Sequence, residues 1–186
     1  MSSLVSIRNL VMTYQRGPEK VHVLHGLDLE IPHGDFVALM GPSGSGKTTL
    51  LNLIGGLDTP TSGEYYLDGT PVREMSRSQR AVLRNRKIGF IFQNYNLLPK
   101  TTAVENVALP LMYNPNVSAK ERHQRAVDAL KAVGLGDRLY HKSNQMSGGQ
   151  MQRVAIARGL VNDPAVILAD EATGNLDTCT SFQILV

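Results

Sequence analysis

The chain has 186 residues, enough for one domain with a substantial core, and its 42% hydrophobic content is globular and not that of a disordered chain. Lys plus Arg exceed Asp plus Glu by only 3, and Trp is absent, so neither charge nor base stacking argues for nucleic acid as a partner. The single cysteine, Cys179, excludes an intrachain disulfide and fits a reducing compartment; the N-terminus lacks the signal-peptide pattern, and no apolar run is long enough to span a bilayer.

In chain order, SLVSIRNL reads as a strand, and residues 21–31 (VHVLHGLDLEI) place Val21, Val23, Leu27, Leu29 and Ile31 at odd positions, the period of a half-buried strand. His22 and His25 fall on it with no metal-spaced partner, so they read as surface residues. Residues 36–40 (FVALM) form a continuous apolar run, the mark of a strand buried on both faces. Residues 47–54 (KTTLLNLI) show helical spacing, and residues 59–70 hold turn chemistry around a short strand. Residues 76–87 should be a helix with Arg77, Arg80, Arg84 and Lys87 on one face, either a solvated face or a docking surface for anionic lipid or an acidic partner. KIGFIF (87–92) is a further strand, and residues 102–140 read as helical. There Ser118 and Glu121 form a capping box, Ala126, Leu130 and Val133 line one face, and Gly134 closes the end. Another helix begins at Ser147, and AVILA (165–169) is a second run expected to be buried on both faces. Strands of parallel type alternating with helices around a helical insertion describe an α/β domain with a helical subdomain.

Three stretches carry chemistry. Residues 41–49 (Gly41, Pro42, Ser43, Gly44, Ser45, Gly46, Lys47, Thr48, Thr49) contain G-x-x-x-x-G-K-[ST] between an apolar run and a helix. Bare glycine backbone lets N–H groups curl around phosphate oxygens, and the helix N-terminus points positive dipole charge at the same anion. Lys47 can reach the outer phosphates of a nucleoside triphosphate and Thr48 can ligate Mg²⁺. In ILADEAT, Asp170 ends a strand, where a carboxylate can hold Mg²⁺, and Glu171 can activate the attacking water. In MSGGQMQR, Ser147 with Gln150 makes a capping box. Gly148 and Gly149 weaken the first turn by about 1 kcal/mol each relative to Ala, which makes sense if a ligand approaches the backbone there.

MSGGQMQRVAIARGL resembles the signature motif of the ATP-binding cassette (ABC) ATPases, with Met146 in place of the usual Leu. The resemblance covers residues 4 to about 177 and implies a P-loop NTPase fold: a mainly parallel central sheet, an N-terminal antiparallel β subdomain and an inserted helical subdomain at about 95–160, all in one ATP-binding domain. It further implies that Tyr14 stacks on adenine, that Gln93 in the Q-loop touches Mg²⁺ and water, and that GNLD (174–177) is the D-loop. Two subunits would pack head to tail, so that Ser147, Gly148, Gly149 and Gln150 of one complete the ATP site of the other. LNLIGGLDTPTSGEYYLDG and FQNYNLLPKTTAVENVALPLMY narrow the likeness to the lipoprotein-release and macrolide-export branch. This implies transmembrane permease partners and a peripheral place on the cytoplasmic face of the inner membrane. The family's usual Pro after the catalytic acid is Ala172, and no histidine follows Asp170, so the family's switch histidine and its strand are missing from a sequence that ends in TCTSFQILV. A truncated chain that binds ATP and hydrolyses it slowly or not at all is the expectation from that departure, and a non-hydrolysing remnant is the alternative reading. A soluble ABC ATPase of DNA repair or translation lacks its coiled coil or second cassette here. A small GTPase or nucleotide kinase lacks the signature helix, and the GTPase also its N-K-x-D motif.

Overall fold

The computed structural model describes residues 3–170, which form two compact units dividing between Arg84 and Asn85. The first unit begins with a long hairpin, β1 (Ser3–Arg16) and β2 (Glu19–Pro32), joined by Gly17 at φ 58° and Pro18. A left-handed first position followed by the fixed φ of proline suits a two-residue hairpin turn. The expected alternation holds along Leu27, Leu29 and Ile31 but changes phase upstream, where Leu24 is buried and Val21 is 40% exposed. The cause is a bulge: Leu10 pairs with Leu27 and Val11 with His25, leaving Gly26 as the extra residue. A Cβ on Gly26 would lie 2.7 Å from Asn9 Oδ1, so glycine is required where the two strands crowd.

The remaining strands, β3 (Ser62–Leu67) and β4 (Thr70–Pro71), complete an antiparallel sheet of order β2-β1-β3-β4. Helix α1 (Lys47–Ile54) buries Leu50, Leu53 and Ile54, spaced to share one face, and the sheet buries Val5, Ile7, Leu10, Tyr65 and Leu67. The Tyr65 hydroxyl donates to the Ile54 carbonyl at 2.6 Å, and burial raises its pKa well above the usual phenol range.

Residues 36–40 do not form the expected strand. Phe36 is 94% and Met40 90% exposed, and none of the described strands pairs with the run. An apolar segment becomes a strand only where a neighbour takes up its backbone N–H and C=O groups. Helix α2 (Arg77–Lys87) forms as expected, N-capped by Ser76, whose hydroxyl accepts from the Gln79 N–H.

In the second unit β5 (Ile88–Phe92) and β6 (Val166–Asp170) pair in parallel, Ile88 opposite Val166 and Phe92 opposite Asp170. The expectation that the second run is buried on both faces fails: Leu168 is buried but Ile167 is 49% exposed, since β5 is the only described strand beside it. Helices α3 (Ala103–Ala108), α4 (Ala119–Ala132) and α5 (Gly148–Leu160) pack Val104, Val107, Ala126, Leu130 and Val154 into one cluster. Residues 133–140, read as helical, are turn and loop. Gly134 at φ 71° stops α4, and the chain returns so that the Leu139 and His141 carbonyls accept from Val104 and Ala103. At the start of α4 only half of the expected capping box forms. Ser118 accepts from the Glu121 N–H, but the Glu121 carboxylate turns to Arg125 one turn on.

Candidate functional site

The glycine-rich loop lies in the first unit. Residues 41–45 are exposed or partly so, and Gly46 takes the N-cap position of α1 at φ 92°, ψ 6°. A Cβ there would enter a left-handed conformation and press on Leu24 Cδ2 at 3.2 Å and Val23 Cγ1 at 3.3 Å. Glycine therefore lets the loop meet the helix at this angle. No side chain caps α1, so its first-turn N–H groups remain available to an anion. Lys47 Nζ donates to the carbonyls of Gly41 and Pro42, each at 2.9 Å. These are neutral acceptors, and a phosphate oxygen would replace them with stronger charge-assisted bonds. Thr48 is exposed in the first turn of α1.

Tyr14, on β1, sends its hydroxyl to Asp58 Oδ2 at 2.8 Å. Its pKa is raised, first by burial and then by Asp58, against a lowering hydrogen bond from Thr49. The fold thus brings Tyr14 beside the last residue of the glycine-rich loop, with its hydroxyl already engaged.

The other site residues lie in the second unit. The parallel register aligns the C-terminal ends of β5 and β6, so Gln93, next after Phe92, and Asp170 sit at the same edge of the strand pair. This is the edge at which open α/β sheets bind ligands. Glu171, Ala172, the D-loop residues 174–177 and Cys179 lie outside the described residues.

Ser147 and Gln150 make the full capping box expected of them. Ser147 Oγ accepts from the Gln150 N–H at 3.3 Å, and Gln150 Oε1 accepts from the Ser147 N–H at 2.9 Å. Gly148 and Gly149 occupy the first turn between them. Met146 packs partly buried against the helical cluster, so an apolar anchor is retained where the family's usual residue is Leu. The phosphate loop and Tyr14 are brought together in one unit; Gln93, Asp170 and the signature residues belong to the other.

Three residues that sequence reasoning missed hold the second unit's site in shape. Arg158, on α5, donates to the carbonyls of Asn96 and Tyr95 at 2.6 and 2.7 Å, clamping the segment that follows Gln93, and burial lowers its pKa. Buried Asn106 accepts from the Leu98 N–H and donates to Thr101 Oγ1 and the Thr102 carbonyl, fixing the next stretch of the same segment. Gly89 meets the backbone of Gly159 so closely that a Cβ would lie 2.4 Å from the Gly159 oxygen, which seats α5 on β5. The sequence hints were a cation within VAIARGL, an amide at a helical core position and two isolated glycines in regular elements. Gln152 is also fully buried, and its amide has no hydrogen-bond partner among the described residues. His22 and His25 lie exposed on β2, as expected, and the described residues hold no group of three or more His, Cys, Asp or Glu placed for a metal.

A lysine-bearing glycine loop at the head of a helix, with an antiparallel sheet, helices and a parallel strand pair ending in an acid, defines a P-loop nucleotide-binding protein. The family model for the ABC transporter matches residues 24–174. An uncharacterised ABC transporter ATP-binding protein of Thermotoga maritima is 54% identical over all of this chain and 79% of its own length. The macrolide export ATP-binding/permease protein MacB of Syntrophobacter fumaroxidans is 54% identical over 98% of this chain but only 26% of its own length. The lipoprotein-releasing system ATP-binding protein LolD of Psychrobacter arcticus is 51% identical over 95% and 78%. Among solved structures, the dimeric post-hydrolysis state of the ATP-binding cassette MJ0796 of Methanocaldococcus jannaschii, bound to ADP and Pi, aligns with TM-score 0.88 and 47% identity. That alignment covers 97% of this chain and 79% of that one.

The chain belongs to the ABC transporter family, and within it to the ATP-binding, ATP-hydrolysing subunits. None of the described helices is long and apolar enough to cross a membrane.

Proposed function

We propose that residues 41–49 of this chain bind the phosphates of ATP and that Glu171 and Gln93 direct water onto the terminal one. The energy would be delivered to transmembrane permease subunits at the cytoplasmic face of the membrane. The observation that carries this reading is the Lys47 ammonium, held at the head of α1 on two replaceable carbonyls. Tyr14 would lie against the adenine. Thr48, Gln93 and Asp170 supply oxygen donors only, a set suited to Mg²⁺, which when bound neutralises charge on the phosphates. The fit to that ion rests on donor chemistry: every one of the three side chains offers an oxygen.

A second copy, packed head to tail, would present Ser147, Gly148, Gly149 and Gln150 to the terminal phosphate. ATP then bridges two subunits, and its loss lets them part, which is how hydrolysis becomes movement. The relatives named for lipoprotein release and macrolide export support those cargo classes. The whole chain is read as one ATP-binding domain with its helical part at about 95–160. The relatives favour the hydrolysing reading over a non-hydrolysing remnant.

Equilibrium binding of a fluorescent ATP analogue tests the carrying observation. Lys47→Ala removes charge-assisted bonds worth about 1.5–3 kcal/mol, so affinity should fall roughly tenfold to a hundredfold. Unchanged affinity would contradict the reading.

A further inference from the structure

Gln152 lies within α5 and is fully buried, and neither Nε2 nor Oε1 of its amide has a hydrogen-bond partner among the described residues. Burying an unpaired amide is costly, and a leucine or methionine would fill a similar volume without that cost. A polar side chain at this position calls for a polar partner, and the seating of α5 shows where that partner lies.

Gly159, on the same helix, faces β5: a Cβ there would lie 3.2 Å from the Phe90 oxygen and 3.4 Å from Ile91 Cγ1. Gln152 precedes Gly159 by two turns, which puts the two within about 20° of each other around α5 and roughly 10 Å apart along it. The helix runs against the strand, because Asn162, just past α5, donates to the carbonyl of Asn85, just ahead of β5, at 2.8 Å. A step of roughly 10 Å toward the start of α5 is therefore a step of about three residues toward the end of β5. From Phe90 it reaches the level of Gln93, beside the paired strand ends Phe92 and Asp170. A helical side chain leans over the turn before it, and there Gln152 meets Gly148 and Gly149, which have no side chains to fill the space around its amide.

We propose that Gln152 holds one internal water molecule at the end of β5 and is thereby a positioning residue for Gln93. Donor and acceptor are orphaned together in a space bordered by glycine, and water carries both roles in one small molecule. It can accept from Nε2 and donate to Oε1 and still keep one hydrogen and one lone pair. Those bind the backbone where the chain leaves β5, so the water ties the turn that carries Gln93 to the signature helix. The water itself is independent of the ATPase reading; the positioning role rests on that reading of Gln93.

The test is magnetic resonance of the isotopically labelled full chain, in which Gln152→Met, close in volume, identifies the Gln152 side-chain amide signals by their loss. Cross-relaxation from water to those protons should carry the sign of a long-lived bound molecule. Amide protons protected from exchange yet receiving nothing from water would overturn the proposal, since a protein group then meets the amide. Gln152→Met should also shift the Gln93 amide signals, and unshifted signals would remove the positioning role. In phosphate release from ATP with Mg²⁺, that variant should lower kcat by roughly tenfold to a hundredfold while KM for ATP stays within about twofold. A kcat equal to the parent's would count against the proposal. Gln152→Glu should regain kcat relative to the parent as pH falls, because burial raises a carboxyl pKa and only the protonated form offers a donor with its acceptor. A Gln152→Glu loss as large as that of Gln152→Met at every pH would overturn the proposal equally. Absence of phosphate release from the parent chain would contradict the hydrolysing reading, and the two resonance readouts, taken without turnover, would still decide this inference.

Discussion

Gly89→Ala tests how the signature helix is seated. Gly89 lies within β5, and its substitution adds one methyl group with no positive-φ strain to confuse the result. That methyl would sit 2.4 Å from the Gly159 oxygen and 3.0 Å from Pro164 Cγ, where ordinary contact begins at 3.4 Å. The obstacle is backbone, which cannot rotate away, so α5 must retreat by about 1 Å. A retreat of that size carries the Arg158 bonds at 2.6 and 2.7 Å out of hydrogen-bond range. Overpacking costs about 1–3 kcal/mol and charged hydrogen bonds about 1.5–3 kcal/mol each, part of which water restores. The expected loss is roughly 3–5 kcal/mol, or about 10 °C in melting temperature at this chain length. Thermal and urea unfolding would measure it against Gly69→Ala, which meets nothing within 4 Å but sits at φ 72° and should cost only about 1–2 kcal/mol. A Gly89→Ala protein as stable as Gly69→Ala would refute the close-packing argument.

Tyr65→Phe should cost about 1–3 kcal/mol in urea unfolding, because it strands the buried Ile54 carbonyl. The Glu105 carboxylate is held below its ordinary value of 4.5 by the Thr102 backbone N–H first and the Thr102 hydroxyl second. Its folded pKa is depressed, so the cap's contribution is present above that ordinary value and is lost as pH falls through the lower folded one. A Thr102→Ala chain should accordingly show a shallower acid-side fall in melting temperature than the parent, and identical acid limbs would contradict the assignment.

Much of the fold is legible in the sequence wherever a local rule decides. The 47–54 helix, the 76–87 helix, the Gly134 stop and the Ser147–Gln150 cap each follow from spacing or from a side chain bonding its own backbone, and each appears in the structure. What failed depended on neighbours. Residues 36–40 and 165–169 have the composition of doubly buried strands, but composition does not supply a pairing partner. The phase change at Gly26 was hidden because a bulge is a relation between two strands, not a property of either. The candidate phosphate and catalytic motifs stand out in the sequence because phosphate chemistry demands particular residues at fixed spacing. The supports of the site could not, because Arg158 and Asn106 act on backbone carbonyls and amides that any residue could offer.

The most direct test of the central claim is the rate of phosphate release from saturating ATP with Mg²⁺ by the full chain, alongside Glu171→Gln. The account predicts release above background that the substitution abolishes while the fluorescent ATP analogue still binds. Release that survives Glu171→Gln, or none from the parent chain with ATP bound, would contradict it.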